Sequence, residues 1–225
     1  MADNQSKITH SRDRHLAVDR LAALTDGVFA IAITLLSLDV VVPVITESAS
    51  GSDLIEALID QWPSYLAYTV TFFLIGAYWI NHHRMFNLLR GVNHMFLILN
   101  IFFLMAIAII PFPNAFLAEY GLDVELRGVA AAVYGLAMAA LAVMFNLVWW
   151  YACWNMRLVE PDCDPVEIRK VLNSYLVGPV VYGLAVALTP VAPLASIAIF
   201  LLIPIGYLFE GPIGSIEAGY MTARS

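Results

Sequence analysis

Apolar residues run through this chain in six long blocks separated by short polar or proline-bearing stretches. The blocks cover about residues 21–42, 65–80, 92–110, 129–150, 171–188 and 194–209. Several approach the roughly 20 residues a helix needs to cross a bilayer. The second, fifth and sixth are a little short and draw on interfacial residues at their ends. Pro43 stops the first block. Pro111-Phe112-Pro113 is expected to close the third, because proline donates nothing to the helical ladder. A large soluble protein buries an occasional helix of this kind. Six in succession point instead to an all-α membrane protein with six transmembrane helices. Trp62, Trp79, Trp149, Trp150 and Trp154 fall near block ends, where an interfacial aromatic belt is expected.

Composition agrees. Of 225 residues, 61% are hydrophobic and 13% charged, against roughly half and a quarter in soluble domains. The only cysteines, Cys153 and Cys163, form no CxxC pair, so neither a disulfide framework nor cysteine metal chemistry is expected. Residues 1–20 are polar, lack the apolar core of a secretory signal, and read as a cytosolic lead. Residues 21–210 form the membrane domain and residues 211–225 a cytosolic tail.

Basic residues fix the expected orientation. With six spans, Lys7, Arg12, Arg14, Arg20, Arg84, Arg90, Arg157, Arg169, Lys170 and Arg224 share one side, and only Arg127 lies opposite. Both termini are therefore expected in the cytosol. The opposite side carries Glu47, Asp53, Glu56, Asp60, Glu119, Asp123 and Glu125. Those carboxylates either concentrate cations or simply hydrate the loops. Residues 52–60 have apolar positions Leu54, Ile55, Leu58 and Ile59 at helical spacing, with Ser52 or Asp53 as N-cap. They suit an interfacial helix or packing against neighbouring loops.

Candidate chemistry lies in the polar groups inside the blocks, because a charge at a bilayer centre costs roughly 2.5–3.5 kcal/mol on insertion scales. Asp26 sits within the first block and is expected to have a buried partner. Arg20 is not its i,i+4 neighbour; it pairs with another helix or snorkels to water. Ile31, Leu35, Leu38 and Val42 form a continuous stripe on one face. Ala30, Ala32, Thr34 and Ser37 on other faces allow close helix approach. Spacing alone does not separate lipid-facing, core and pore roles for the stripe. The second block ends in Trp79-Ile80-Asn81-His82-His83-Arg84. Adjacent histidines diverge by about 100°, so no shared metal is expected. Trp79, Asn81 and one histidine lie at the depth of Arg20 and Asp26 and suit hydrogen bonding to them; an interfacial anchor is the alternative. The third block adds Asn93, His94 and Asn100. There is no P-loop, HExxH or nucleophile elbow, so no enzyme is expected.

Arg20-x-x-x-Leu24-Thr25-Asp26 and the run that follows resemble the R-x-x-x-F-S-D signature of the transmembrane protein 175 family. Tyr78-Trp79-x-Asn81-His82-His83-Arg84-x-Phe86 and Pro111-Phe112-Pro113 resemble its prokaryotic members. Leu24 replaces the signature aromatic and Thr25 the serine. Animal members are potassium channels of endosomes and lysosomes. The resemblance implies a six-helix subunit, a homotetramer around helix one, and a cell-membrane location in a bacterium or archaeon. It implies a pore constriction at Ile31, Leu35 and Leu38, with Thr34, Ser37 and Asp39 as adjacent polar groups. Arg20, Thr25, Asp26, Trp79, Asn81, His82 and His83 would brace helix one. The implied function is a potassium channel weakly selective over sodium, with permeant K⁺, the bilayer and copies of itself as partners. No cofactor, metal or nucleic acid is implied. A proton-conducting leak is the alternative, and a secondary transporter a more distant one, since no inverted repeat is visible. A membrane enzyme using Asp26, His82 or His83 lacks any nameable substrate.

Overall fold

A computed structural model describes residues 2–46 and 50–208, with side chains within 16–204. The expected tail, 211–225, lies outside the described residues. The described chain is all-helical, apart from one isolated antiparallel bridge, Leu89 to Val159. Helix α1 spans Ala2–Leu35 and continues into a 3-10 turn, Leu36–Asp39. The lead is therefore helical and continuous with the first apolar block. The β-branched run Val40-Val41-Val42 and then Pro43 prevent further helix.

Helix α2, Gly51–Asp60, begins one residue earlier than its composition suggested. Ser50 is the N-cap, and Asp53 stands at N3 in a reciprocal capping box. The Asp53 carboxylate accepts from the Ser50 backbone N–H at 2.7 Å. That bond, and a second from the Ser50 hydroxyl, hold its carboxyl below the usual carboxylate range. No residue of α2 is buried.

Helix α3 (Trp62–Asn87) opens with Pro63 in its first turn. Helix α4 (His94–Ala108) is capped by Asn93, whose side chain accepts from Phe96 N at 3.0 Å. Helix α4 ends at Ala108, just before the prolines expected to close the third block, but the apolar helical run resumes beyond them. Helix α5 spans Pro111–Tyr120 with Pro111 at its start, where the missing N–H costs nothing and the fixed φ suits a helix. Residues 94–120 thus form one apolar run with a local break. Helix α6 (Arg127–Cys153) packs on α4, α5, α8 and α9 and forms the centre of the bundle. Trp149 is fully buried there, and so is no part of an interfacial belt. Trp62, Trp79, Trp150 and Trp154 are exposed.

The fifth block divides into α7 (Pro165–Tyr175) and α8 (Val177–Leu188). Pro179 has no N–H for the Tyr175 carbonyl four residues earlier. Asn146 of α6 replaces it, its Nδ2 donating to Tyr175 O at 3.1 Å. Helix α9 spans Pro193–Leu208. Among the described residues, four stretches are long and apolar enough to cross a membrane by length and composition: Leu16–Asp39, His94–Tyr120, Arg127–Met156 and Pro165–Leu188.

Close approach of α6 to α8 and α9 depends on Gly135. A Cβ there would collide with Phe200 and with Val186. Gly135→Ala is expected to lower stability by about 1–3 kcal/mol, read as a lower unfolding temperature in detergent. Gly183→Ala, where a Cβ meets nothing, should not.

Candidate functional site

Helix α1 has two unlike faces. At 100° per residue, Val18, Leu21, Phe29, Ala32 and Leu36 all lie within about 40° of Thr25, and all six are buried. Ile31, Leu35 and Leu38 lie between about 80° and 140° from Thr25. They are 61%, 40% and 71% exposed. The stripe is thus turned away from its own chain. Leu24, Thr34 and Ser37 share this open side.

Thr34 Oγ1 donates to Ile31 O at 2.9 Å, and Ser37 Oγ to Thr34 O at 2.7 Å. Each hydroxyl proton is committed to the helix backbone. What the two oxygens present outward is lone pairs.

Two polar connections hold the first half of the helix. Trp79 of α3 donates its indole N–H to Asp26 Oδ1 at 2.8 Å. Trp79 in turn stacks on His83, ring centroids 5.7 Å apart. The second connection is buried. Asn100 of α4 donates Nδ2 to Thr25 Oγ1 at 3.2 Å, and its Oδ1 lies 2.9 Å from His82 Nε2. With the amide nitrogen facing Thr25, Oδ1 must accept, so His82 carries a proton on Nε2. His82 also stacks on Phe103, centroids 5.1 Å apart. The two histidines occupy opposite environments, His82 buried and His83 exposed.

Two expected bracing residues sit elsewhere. Asn81 faces α7: its Oδ1 accepts from Tyr175 OH at 2.8 Å, and its Nδ2 donates to Ala77 O. One helical step from His82 swings it off helix α1. Arg20 is exposed and has no ion-pair partner among the described residues.

At the other end of the helix, Asp39 Oδ2 accepts from Asn114 Nδ2 of α5 at 3.0 Å. Asn114 Oδ1 accepts from Thr71 Oγ1 of α3 at 2.7 Å, and Thr71 lies 3.2 Å from Tyr134 OH of α6. Asn114, Thr71 and Tyr134 are all buried. Sequence reasoning missed these three. Their one signal was polarity inside apolar helix, which marks a position without naming a partner. Among the described residues no group of three metal-ligating side chains comes together.

An all-helical chain with several apolar spans, and polar side chains spent on fixing one helix, is a multi-pass membrane protein. The family model described as "Endosomal/lysosomal potassium channel TMEM175" matches residues 20–111. A Streptomyces collinus protein named as a potassium channel is 40% identical over 200 residues, which is 88% of this chain and 96% of that one. One from Chamaesiphon minutus, named likewise, is 40% identical over 182 residues, 80% of this chain and 88% of that one. A crystal structure of a lysosomal potassium-selective channel TMEM175 homolog from Chamaesiphon minutus superposes with a TM-score of 0.75 at 35% identity. The match covers 85% of this chain and 96% of that chain. The chain belongs to the TMEM175 family.

Proposed function

We propose that this chain is one subunit of a potassium-selective channel, weakly selective over sodium, whose pore is lined by helix α1 from four copies. The observation that carries this reading is the two-faced helix. Its buried face is bonded to α3 and α4, while a row of large aliphatic side chains is turned away from its own chain. Four such rows facing one axis make a neck at Ile31, Leu35 and Leu38.

A neck of that kind gates by dewetting. An ion passing it must shed part of its hydration, and K⁺ holds water less tightly than Na⁺. The neck therefore favours K⁺, modestly because it offers no cage of carbonyls. Thr34 and Ser37, whose oxygens present only lone pairs outward, suit partial replacement of lost water. Asp39 sits where cations gather before the neck. Taking α1, α3, α4 with α5, α6, α7 with α8, and α9 as one span each supports a six-span subunit. Both termini then lie on the basic, cytosolic side. The lead 1–20 extends the first span, and residues 21–210 form the pore domain.

The test is the reversal potential of the purified protein in planar bilayers with KCl on one side and NaCl on the other. A shift toward the K⁺ equilibrium potential is expected. A reversal potential that ignores the K⁺ gradient and follows an imposed pH gradient overturns the reading in favour of a proton leak. Flux strictly coupled to a counter-ion overturns it in favour of a transporter.

A further inference from the structure

Helix α1 ends in a 3-10 turn, which holds itself less well than an α-helix because its hydrogen-bond geometry is poorer. The turn carries Ser37, Leu38 and Asp39, and the chain beyond it, through Val42, is open. Two side chains hold it to the bundle. Leu36 is buried, and Asp39 reaches Asn114.

The row behind that bond has a direction. Thr71 has one hydroxyl proton, and it goes to Asn114 Oδ1 at 2.7 Å. Tyr134 must therefore donate to Thr71 across their 3.2 Å contact. Asn114, its oxygen occupied, can offer Asp39 only its amide N–H. The reversed amide would face an oxygen toward the carboxylate. Every donor in the row, drawn from α6, α3 and α5, thus points at Asp39. The carboxylate uses Oδ2 for this bond. Its Oδ1 has no partner among the described residues, and Asp39 is half-buried beside exposed Leu38.

We propose that Asn114 is a positioning residue for the pore mouth: it fixes Asp39 by one oxygen, locks the turn bearing Ser37 and Leu38, and leaves the other oxygen to passing cations. The inference rests on the pore reading above. Its physical basis is that selection between ions of similar size needs side chains held to within about 0.5 Å. A turn tethered by a buried, fully satisfied amide meets that need.

Four variants test it in planar bilayers, each checked for elution at the wild-type size. Asn114→Leu removes the donor and keeps the charge, and the K⁺ over Na⁺ permeability ratio is expected to fall toward one. Asp39→Asn removes the charge and keeps the bond, since its amide oxygen still accepts. Its conductance should drop at low salt and recover at high salt, where fixed charge is screened, with the ratio retained. The double variant Asp39→Asn/Asn114→Asp reverses the bond while the new carboxylate on α5 still accepts from Thr71, so its ratio should match that of Asp39→Asn. A wild-type ratio in Asn114→Leu overturns the proposal. So does a double variant that loses the ratio while Asp39→Asn keeps it, and this second comparison stands even where Asn114→Leu does not fold. Leu35→Ala in the same bilayers separates the two readings. If it shifts the ratio and Asn114→Leu does not, only the positioning role falls. If neither shifts it, the helix-one pore falls as well.

Discussion

Replacing Leu35 or Ile31 with asparagine is expected to raise conductance about tenfold or more and to bring the K⁺ and Na⁺ permeabilities close together. A tenfold change in flux needs a barrier lowered by only about 1.4 kcal/mol. Shared among the four copies of the proposed tetramer, that is about 0.35 kcal/mol for each side chain. Alanine at either position should act in the same direction by widening the neck. The same substitutions should cost each subunit little stability, because both side chains are exposed on it. Leu36→Ala gives the contrast. Leu36 is the next residue and fully buried, so truncation should cost about 2–5 kcal/mol. Single-channel recording and thermal unfolding of the three variants read the two effects independently. Unchanged conductance and ratio in both Ile31 and Leu35 variants would remove these side chains from the filter.

That contrast between neighbours also shows what the sequence made legible. The spacing of Ile31, Leu35 and Leu38 placed them on one face without telling whether the face met lipid, core or pore. The structure narrows this, since the buried positions of helix α1 gather on the face centred on Thr25. Asp26 was marked by the cost of a short carboxylate among apolar residues, and Trp79 as a donor at matching depth; the indole does reach it, but both residues are exposed on the chain, so the partner is not the buried one expected. Asn81 was grouped with Trp79 in the same reading yet turns to α7, because it lies two residues further along the helix, a rotation of about 200°. Pro111 marked where α4 ends but not that a new helix, α5, begins there. Proline breaks a helix it interrupts and starts a helix it precedes, and the sequence does not say which. Asn114 was unreadable because its partner, Asp39, lies 75 residues away, and no periodicity connects a lone amide in one helix to a carboxylate in another.

Asn100→Leu is expected to destabilise the bundle although it nearly keeps the side-chain volume. Asn100 is fully buried and connects Thr25 of α1 to His82 of α3. Leucine fills similar space but leaves the His82 Nε2–H without its acceptor and Thr25 without its donor. Each orphaned group costs about 1–3 kcal/mol in general. Interhelical hydrogen bonds in membranes average nearer about 0.6 kcal/mol, because the reference state also finds partners. The total should therefore lie near the lower end, about 2 kcal/mol, read as a fall in the unfolding temperature of the detergent-solubilised protein. The sharper expectation concerns repair. Removing one partner of a buried hydrogen bond is costly, whereas replacing all partners with apolar groups of like shape is nearly neutral. Thr25→Val/His82→Phe/Asn100→Leu should regain most of the lost stability, with the introduced phenyl ring stacking on Phe103 as the imidazole does. It should not regain a wild-type K⁺ over Na⁺ ratio, because apolar packing holds helix α1 against the bundle without fixing its rotation. The row Ile31, Leu35 and Leu38 is aimed only as well as Thr25 is anchored. A triple variant with recovered stability and recovered selectivity would show that packing alone sets the aim of the helix.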